Sequence, residues 1–285
     1  MAPGILIVDK PSGWTSQDVV AKLRGVFHEK RIGHGGTLDP MATGVLPVFV
    51  GRATRAVEFF EHAEKTYIAD LLLGTTTDTQ DTTGAVVSER PVEVTATQLE
   101  AALSAFRGVQ QQLPPMYSAV KIGGKKLYEI ARRGKEVERT PREITLYALE
   151  LLDFSGKIAR LRIHCSKGTY VRTLCHDIGA ALGCGGCMAA LRRVQAGAYT
   201  EAEAIPLEKI VADSCPEALL RPIDSLFADL PGLTLTPAQE KCCRNGAAFP
   251  STQAPGRYRV YARDGAFLAL SEISDGTLRT VKSFF

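Results

Sequence analysis

The chain has 285 residues, of which 45% are hydrophobic and 23% are charged, and its formal net charge is +3. This composition is typical of a globular protein long enough for one large domain and a small one. No stretch approaches the roughly 18 continuous apolar residues of a membrane-spanning helix. The start of the chain lacks the charged and apolar regions of a signal peptide, so we expect a cytoplasmic protein.

The seven cysteines are odd in number and scattered, which argues against a disulfide framework. Cys184 and Cys187 have the C-x-x-C spacing, but a structural zinc site needs a second such pair or two suitably spaced histidines. Neither is evident in the sequence. We therefore expect reduced, partly buried thiols and no metal site.

The first half of the chain predicts a mixture of strands and helices. A short buried strand covers Gly4 to Asp9, and Ser16 is the expected cap of a helix with its apolar residues on one face. Strands are predicted over 44–50 and 65–73. One helix is predicted over 52–62, and a second, capped by Thr95 or Thr97, runs through Phe106. A polar loop covers 75–84 between them.

The second half continues in the same way, with a short helix over 125–133, strands over 144–154 and 158–165, and a helix after Tyr170. Three short strand candidates follow in the tail, at 258–262, 267–273 and 277–281. Strands and helices alternate without regular βαβ repetition. The predicted fold class is therefore α+β, with a mixed, largely antiparallel central sheet flanked by helices.

The most informative segment is the uninterrupted glycine-rich run from Gly33 to Pro47, which contains a single carboxylate, Asp39. Glycine allows close backbone approach, and Pro40 biases Asp39 toward an extended conformation. Such an Asp has the fixed direction that a nucleophile or general base needs. A structural turn is the alternative interpretation. A phosphate-binding loop is disfavoured because the run lacks the Gly-Lys-Ser/Thr ending of a P-loop.

Positive charge is concentrated between Lys121 and Arg142, where eight basic residues face three acidic ones, a net +5. The rest of the chain is therefore slightly acidic. A basic segment of this kind suits a phosphate backbone, although a solvated helix face is the alternative. Near Pro222 the character changes again, and the Leu230-Pro231-Gly232 sequence is typical of a junction before a small β-rich module.

Read together, several stretches resemble the TruB family of tRNA pseudouridine synthases, which make pseudouridine at position 55 of the T loop. The segment from Gly33 to Leu46 resembles the catalytic motif of the family. The other matching stretches occur in family order and are 9–16 (DKPSGWTS), 65–67 (KTY), 115–121 (PMYSAVK), 165–172 (CSKGTYVR) and 191–193 (LRR).

The resemblance implies a pseudouridine synthase fold for residues 1–228, with an RNA-gripping basic insertion at about 112–143. It implies a small, PUA-like RNA-binding module for residues 229–285. The implied partner is the T arm of tRNA. No membrane and no protein partner is expected, and we expect a monomer.

The implied reaction detaches uracil from its ribose, rotates it and reattaches it through C5, so no cofactor or metal is expected. Asp39 is the expected catalytic carboxylate, Arg172 its charged partner, and Tyr67 the ring that stacks on the target uracil. His34 is expected to enter the space that the flipped base vacates, and Leu191 to form an apolar wall of the pocket. The expected RNA-binding residues are basic: Lys10, Lys121, Lys125, Lys126, Arg132 and Arg133.

Two other functions remain compatible with parts of the sequence. A non-catalytic tRNA-binding or tRNA-folding chaperone would keep the basic segment and the tail but would not need Asp39 together with Arg172. A nucleotide-binding transferase would use the glycine-rich run on phosphates, but the chain lacks the P-loop lysine. An enzyme that uses Asp39, Tyr67 and Arg172 is the favoured interpretation.

Overall fold

The computed structural model describes residues 3–118, 120–131 and 134–285, and it describes only the backbone at residues 121, 122, 125, 126 and 128. The α-helices in these ranges are α1 (Ser16–Phe27), α2 (Val57–Phe60), α3 (Ala96–Ala105), α4 (Leu127–Ala131), α5 (Val171–Ala181), α6 (Leu207–Ala212) and α7 (Pro237–Arg244). None of these helices is long and apolar enough to cross a lipid bilayer.

Most of the strands are short, and the two longest, of 13 and 11 residues, belong to the main sheet. In chain order they are β1 (Gly4–Lys10), β2 (Ile32–His34), β3 (Thr43–Val50), β4 (Lys65–Leu73), β5 (Thr75–Thr77), β6 (Val86–Glu89), β7 (Gly108–Gln112), β8 (Lys121–Ile122), β9 (Lys125–Lys126), β10 (Arg142–Phe154), β11 (Ile158–Cys165), β12 (Gly186–Ala196), β13 (Tyr199–Thr200), β14 (Ile205–Pro206), β15 (Gly232–Thr234), β16 (Phe249–Pro250), β17 (Gly256–Tyr261), β18 (Phe267–Ser274) and β19 (Thr277–Ser283).

The main sheet has ten strands, eight of them in the order β14-β1-β3-β12-β4-β11-β10-β7, while β13 pairs with β12 and β2 with β3. Within this sheet, only two pairs of the strands that the structure describes, β1 with β14 and β12 with β3, are parallel. The expected α+β class with a largely antiparallel sheet is therefore confirmed. Hairpins join β10 to β11 directly, whereas the β12–β3 pair joins segments that are far apart in the chain.

Helix α1 shows how local sequence and packing agree. Thr15 forms a capping box with Asp18, and the expected apolar face is buried through Val19, Val20 and Leu23. The prediction that Ser16 caps this helix is wrong by one residue. Ser16 is the first helical residue, and its buried hydroxyl faces the glycine-rich loop instead.

Two hydrophobic cores lie on opposite faces of β1 and β3 because successive side chains of a strand point to opposite sides. Leu6 and Val8 pack into the core beneath α1, α3 and α5. Ile5 and Ile7 pack into a second core on the reverse face, with Phe60. The continuous apolar runs of β1 and β3 follow from this double burial.

A five-stranded sheet in the order β15-β17-β18-β19-β16 forms the C-terminal part, in agreement with the three predicted tail strands. It has its own small core, yet Leu270 and Phe284 belong to the reverse-face core of the main sheet. The rings of Phe227, Phe267 and Phe284 lie 5.2–6.3 Å apart by centroid. Aromatic packing therefore fixes the C-terminal sheet against the reverse face of the main one.

Several elements differ from the sequence prediction. Strand β12, near the middle of the main sheet, and helix α7 were not predicted from the sequence. The segment expected as a helix over 52–62 is a 3₁₀ turn, Gly51–Ala56, followed by the single turn of α2. The polar segment 75–84 opens with β5, which pairs with β6 in a small hairpin.

Gly44 is a position where only glycine fits. Its φ is +100°, and a Cβ there would lie 2.2 Å from the backbone oxygen of Arg193 on the paired strand. We predict that Gly44→Ala lowers the free energy of unfolding by about 3 kcal/mol, measured by urea denaturation. Gly13→Ala is the control, because Gly13 also has a positive φ but an added Cβ would meet nothing within 4 Å. Its expected cost is about 1 kcal/mol, and equal costs would contradict the steric explanation.

Candidate active site

The middle of the glycine-rich run, residues 35–42, forms the loop between β2 and β3, which we call the Asp39 loop. Hydrogen bonds to Ser16 and Gly13 fix its position. The Ser16 hydroxyl accepts a hydrogen bond from the amide of Leu38 at 2.8 Å and donates one to its carbonyl at 3.3 Å. The amide of Gly13 donates to the carbonyl of Pro40 at 2.8 Å. The backbone is therefore anchored on both sides of Asp39. A carboxylate of fixed direction, as predicted from the sequence, requires such anchoring.

Lys10 differs from its expected role as an RNA contact. Its side chain is fully buried, and its ammonium donates to the carbonyls of Pro11, Trp14 and Pro40 at 2.9, 2.6 and 3.2 Å. Burial lowers its pKa to about 8. Because the ammonium has its partners inside the protein, this geometry makes Lys10 an anchor of the Asp39 loop rather than a surface ligand for phosphate.

Asp39 and Arg172 form a forked ion pair. Nε of Arg172 lies 2.9 Å from Oδ2 of Asp39, and Nη2 donates to Oδ1 at 3.3 Å. The arginine side chain is 6% exposed, while that of Asp39 is 32% exposed. The carboxylate therefore keeps an open side toward solvent, from which a substrate can reach it, and its back is held by a planar guanidinium.

Hydrogen bonds and a second ion pair, which were not predicted from the sequence, hold the Arg172 guanidinium in place. Nη1 donates to the carbonyl of Thr79 at 3.2 Å and lies 3.6 Å from Oδ2 of Asp81, and Nη2 donates to the carbonyl of Tyr117 at 2.9 Å. Asp81 is a buried carboxylate that also accepts hydrogen bonds from Thr83. Arg172 thus lies between two carboxylates, and the only sequence signal was an Asp among threonines before a glycine.

The amide of Gln112 positions the helix that carries Arg172. It accepts a hydrogen bond from the backbone N–H of Tyr170 at 2.8 Å and donates to the carbonyl of Tyr170 at 3.1 Å. Tyr170 is the N-cap of α5, and its own side chain makes no capping hydrogen bond. Gln112, at the end of β7, therefore gives the N-cap amide a partner that the helix does not supply, whereas the Tyr170 carbonyl also accepts the first helical hydrogen bond, from Leu174.

The charge of Asp39 depends on competing influences. Burial raises the pKa of its carboxyl above the ordinary value, and the nearby Asp81 raises it further. The Arg172 guanidinium and, more weakly, the Lys10 ammonium oppose this rise. The ionised form of Asp39 therefore depends on the ion pair with Arg172.

Tyr67 and Leu191 lie on neighbouring strands, β4 and β12, and both side chains belong to the core beneath α1 and α5. Each is 8% exposed. Burial raises the pKa of the Tyr67 hydroxyl, and the Asp39 charge adds a smaller rise in the same direction. Tyr67 is therefore a neutral phenol at ordinary pH, and the negative charge of Asp39 further favours this neutral form.

His34 ends β2 at the start of the glycine-rich loop. Its Nδ1 is buried and has no hydrogen-bond partner among the residues that the structure describes. Burial and the neighbouring Arg193 lower its pKa, so the imidazole is neutral.

Two further buried cations lie beside the loop, and the sequence analysis gave neither a role. The guanidinium of Arg193 donates to the carbonyls of Val45 and Gly36. Lys65, at the start of β4, is 9% exposed and donates to the carbonyl of Ala63. Both residues lie in stretches that carry the family resemblance, which was the available signal.

The basic insertion is described only in part. The backbone of Lys121 pairs with that of Lys126 in the β8–β9 hairpin, and α4 follows it. The side chains of Lys121, Lys125 and Lys126, and all of Arg132 and Arg133, lie outside the described structure. Their expected contacts with RNA stay a prediction.

The fold is shared with solved structures. A crystal structure of a Cbf5-Nop10-Gar1 complex contains a chain that is 26% identical, with a TM-score of 0.74 over 99% of this chain and 85% of the other. The structure of an H/ACA RNP bound to a substrate RNA containing 2′-deoxyuridine contains a chain with a TM-score of 0.73 at 23% identity, over the same shares of the two chains. The second likeness shows the fold alone.

Comparison of sequences identifies the class. Residues 24–171 match the family described as TruB family pseudouridylate synthase (N terminal domain), and residues 172–228 match the tRNA pseudouridylate synthase B C-terminal domain. The chain thus has the fold and the family domains of a pseudouridylate synthase.

The chain belongs to the TruB family. Two relatives described as tRNA pseudouridine synthase B support this assignment. The one from Azoarcus sp. (strain BH72) is 47% identical over 97% of this chain and 93% of that relative. The one from Pseudomonas fluorescens (strain Pf0-1) is 44% identical over 95% of this chain and 92% of that relative. The family resemblance found in the sequence is therefore confirmed.

The competing influences on Asp39 predict opposite effects of two substitutions. Asp81→Asn should lower the pKa of the Asp39 carboxyl because it removes a negative charge, while the amide oxygen can still accept the hydrogen bonds from Thr83. Arg172→Met should raise that pKa because it removes the stabilising cation. The measurement is a ¹³C NMR titration of the Asp39 carboxyl carbon. Shifts in the same direction for both variants would contradict this electrostatic account.

Proposed function

We propose that this chain converts the uridine at position 55 in the T arm of tRNA to pseudouridine. The observation that carries the proposal is the forked contact between Asp39 and Arg172, inside a chain of the TruB family. Relatives at 44–47% identity, described as tRNA pseudouridine synthase B, support the same substrate.

The chemistry needs one ionised carboxylate and no added group. The N1–C1′ bond of the target uridine breaks, a C5–C1′ bond forms, the proton on C5 leaves, and N1 gains a proton. Asp39 attacks either C1′ of the ribose or C6 of the uracil, and both routes require the carboxylate form. Arg172 supports that form, because burial alone would favour the protonated acid.

The other pocket residues serve to receive the flipped base. Tyr67 offers an aromatic ring for stacking beside Asp39, and its raised pKa makes its hydroxyl a hydrogen-bond donor rather than a phenolate base. Leu191, on the neighbouring strand, supplies an apolar wall. His34 enters the space that the uracil leaves in the T loop, and a neutral imidazole suits a position between stacked bases.

The remaining assignments concern how the RNA is held. The basic insertion at about 112–143 grips the T arm, and residues 229–285 form a PUA-like module beside a catalytic domain of residues 1–228. The end of the second family match at residue 228 supports this division. The enzyme works as a monomer in the cytoplasm.

Asp39→Asn tests the catalytic assignment. Incubated with unmodified tRNA transcript and no cofactor, the wild-type protein should form pseudouridine at one T-loop position, and the variant should form none. The variant should bind tRNA with an unchanged dissociation constant, because the amide keeps the shape of the pocket. Pseudouridine mapping and filter binding are the measurements.

Asp70→Asn is the matched control, since Asp70 lies on β4 and pairs with Arg160 at 2.8 Å, away from the loop. It should keep wild-type activity. Undiminished conversion by Asp39→Asn would remove Asp39 from the mechanism. A wild-type protein that binds tRNA but forms no pseudouridine would favour the chaperone instead.

Neutralising Lys125, Lys126, Arg132 and Arg133 together tests the basic insertion. We expect weaker tRNA binding and a salt dependence whose logarithmic slope is smaller by up to about 4, one for each lost phosphate contact. The charge-matched control neutralises four exposed residues on another part of the main domain: Arg90, Lys157, Arg160 and Arg162. An equal effect of both quadruple variants on the slope would contradict a specific role for the insertion.

A further inference from the structure

Arg193 is a buried cation without a carboxylate partner. Its side chain is the largest among the fully buried ones, at 1% exposure, and no Asp or Glu oxygen of the described residues lies within 4.0 Å of its guanidinium. Taking an unpaired charge out of water costs several kcal/mol, so a Met or Leu at this position would favour stability. The arginine therefore needs an explanation other than stability.

The contacts of the guanidinium connect two points on either side of Asp39: Gly36 in the loop and Val45 in strand β3. Nε donates to the carbonyl of Val45 at 2.7 Å, and Nη2 donates to the carbonyl of Gly36 at 3.2 Å. Asp39 lies between these two positions in the chain. One rigid, planar group thus spans the segment that carries the carboxylate.

The backbone around Arg193 is shaped to admit it. Arg193 pairs with Gly44 of β3 and with Tyr67 of β4, so it lies where the loop meets the sheet. Gly36 has a φ of +103°, and a Cβ there would lie 3.6 Å from Nη1 of Arg193. The positive φ of Gly36 and the close approach of Gly44 to the Arg193 backbone favour glycine at both points where the chain passes Arg193.

The same guanidinium influences the groups that line the pocket. Burial is the main cause of the lowered pKa values of Lys10 and Lys65, each about 8, and of the lowered pKa of His34, and the Arg193 charge lowers each of them further. This charge also acts on the Tyr67 hydroxyl. Arg193 is therefore next to the residues assigned above, although it does not touch Asp39.

We propose that Arg193 is a positioning residue for the isomerisation, whose guanidinium fixes the Asp39 loop by bridging the carbonyls of Gly36 and Val45. This inference rests on the proposed function. It requires that the loop loosens and the chemical step slows when the bridge is lost, while tRNA binding is unchanged.

Three variants test it: Arg193→Lys, Arg193→Gln and Arg193→Met. Lysine keeps the charge but lacks the fork that reaches both carbonyls, so the single-turnover rate at saturating tRNA should fall about 100-fold. The tRNA dissociation constant should stay at the wild-type value. Hydrogen exchange, followed by mass spectrometry, should become faster in the peptide 33–47.

Arg192→Met is the matched control on the same strand. Arg192 is 37% exposed and pairs with Asp9 and Glu201, so its loss should change neither the rate nor the exchange of peptide 33–47. A wild-type rate in Arg193→Lys overturns the inference. A slow variant with unchanged loop exchange also overturns it, since Arg193 would then act directly in the chemistry.

Failure of all three Arg193 variants to fold or to bind tRNA would assign the residue to folding and would overturn the inference as well. The wild-type protein in the same assay separates this test from the proposed function. If it forms no pseudouridine, the proposed function fails, whatever the exchange data show. If it does and Arg193→Lys matches it, only the positioning role fails.

Discussion

The forked contact between Arg172 and Asp39 is the constraint on which the site depends, because the two residues come from segments that are far apart in the chain. A carboxylate that is largely removed from water favours its protonated form, and a guanidinium in contact with both oxygens counteracts this. Such a fork tolerates little displacement. The surrounding structure therefore holds each partner separately: Ser16 and Lys10 anchor the loop of Asp39, and Gln112 and Asp81 hold Arg172.

The polar groups around the pocket carry more positive than negative charge. Lys10, Lys65, Arg172 and Arg193 are buried cations, and the acids among them are Asp39 and Asp81. Backbone carbonyls, rather than carboxylates, satisfy most of the cationic donors. Under the proposed function, this excess of buried positive charge favours the approach of RNA, which is a polyanion.

The sequence predicted those parts of the fold where local pattern and tertiary environment agree. Helix α1 has an apolar period of 3.6 residues, and β11 alternates between a buried and an exposed face, so these elements match the prediction. Strand β12 does not, because its Ala, Met, Leu and Arg residues are good helix formers. It is a strand because β3 and β4 pair with it on both sides, and a single-sequence pattern contains no information about those partners.

The site was predictable to a similar extent. The family resemblance identified Asp39 and Arg172, which the structure brings into contact. The resemblance also predicted that Lys10 contacts RNA, whereas the side chain of Lys10 is buried. The contact of Asp81 with Arg172 was not predicted, because the distance between the two side chains is a property of the folded chain.

The way in which Phe284 and Leu270 complete the reverse-face core has a consequence for biosynthesis. Strands β1 and β3 leave the ribosome long before Phe284, an aromatic residue that covers one of their faces. At roughly 5–20 residues per second, the nascent chain exposes this apolar surface for many seconds. During that interval the part of this core that Leu270 and Phe284 cover stays exposed, and it becomes shielded only when the C-terminal sheet docks.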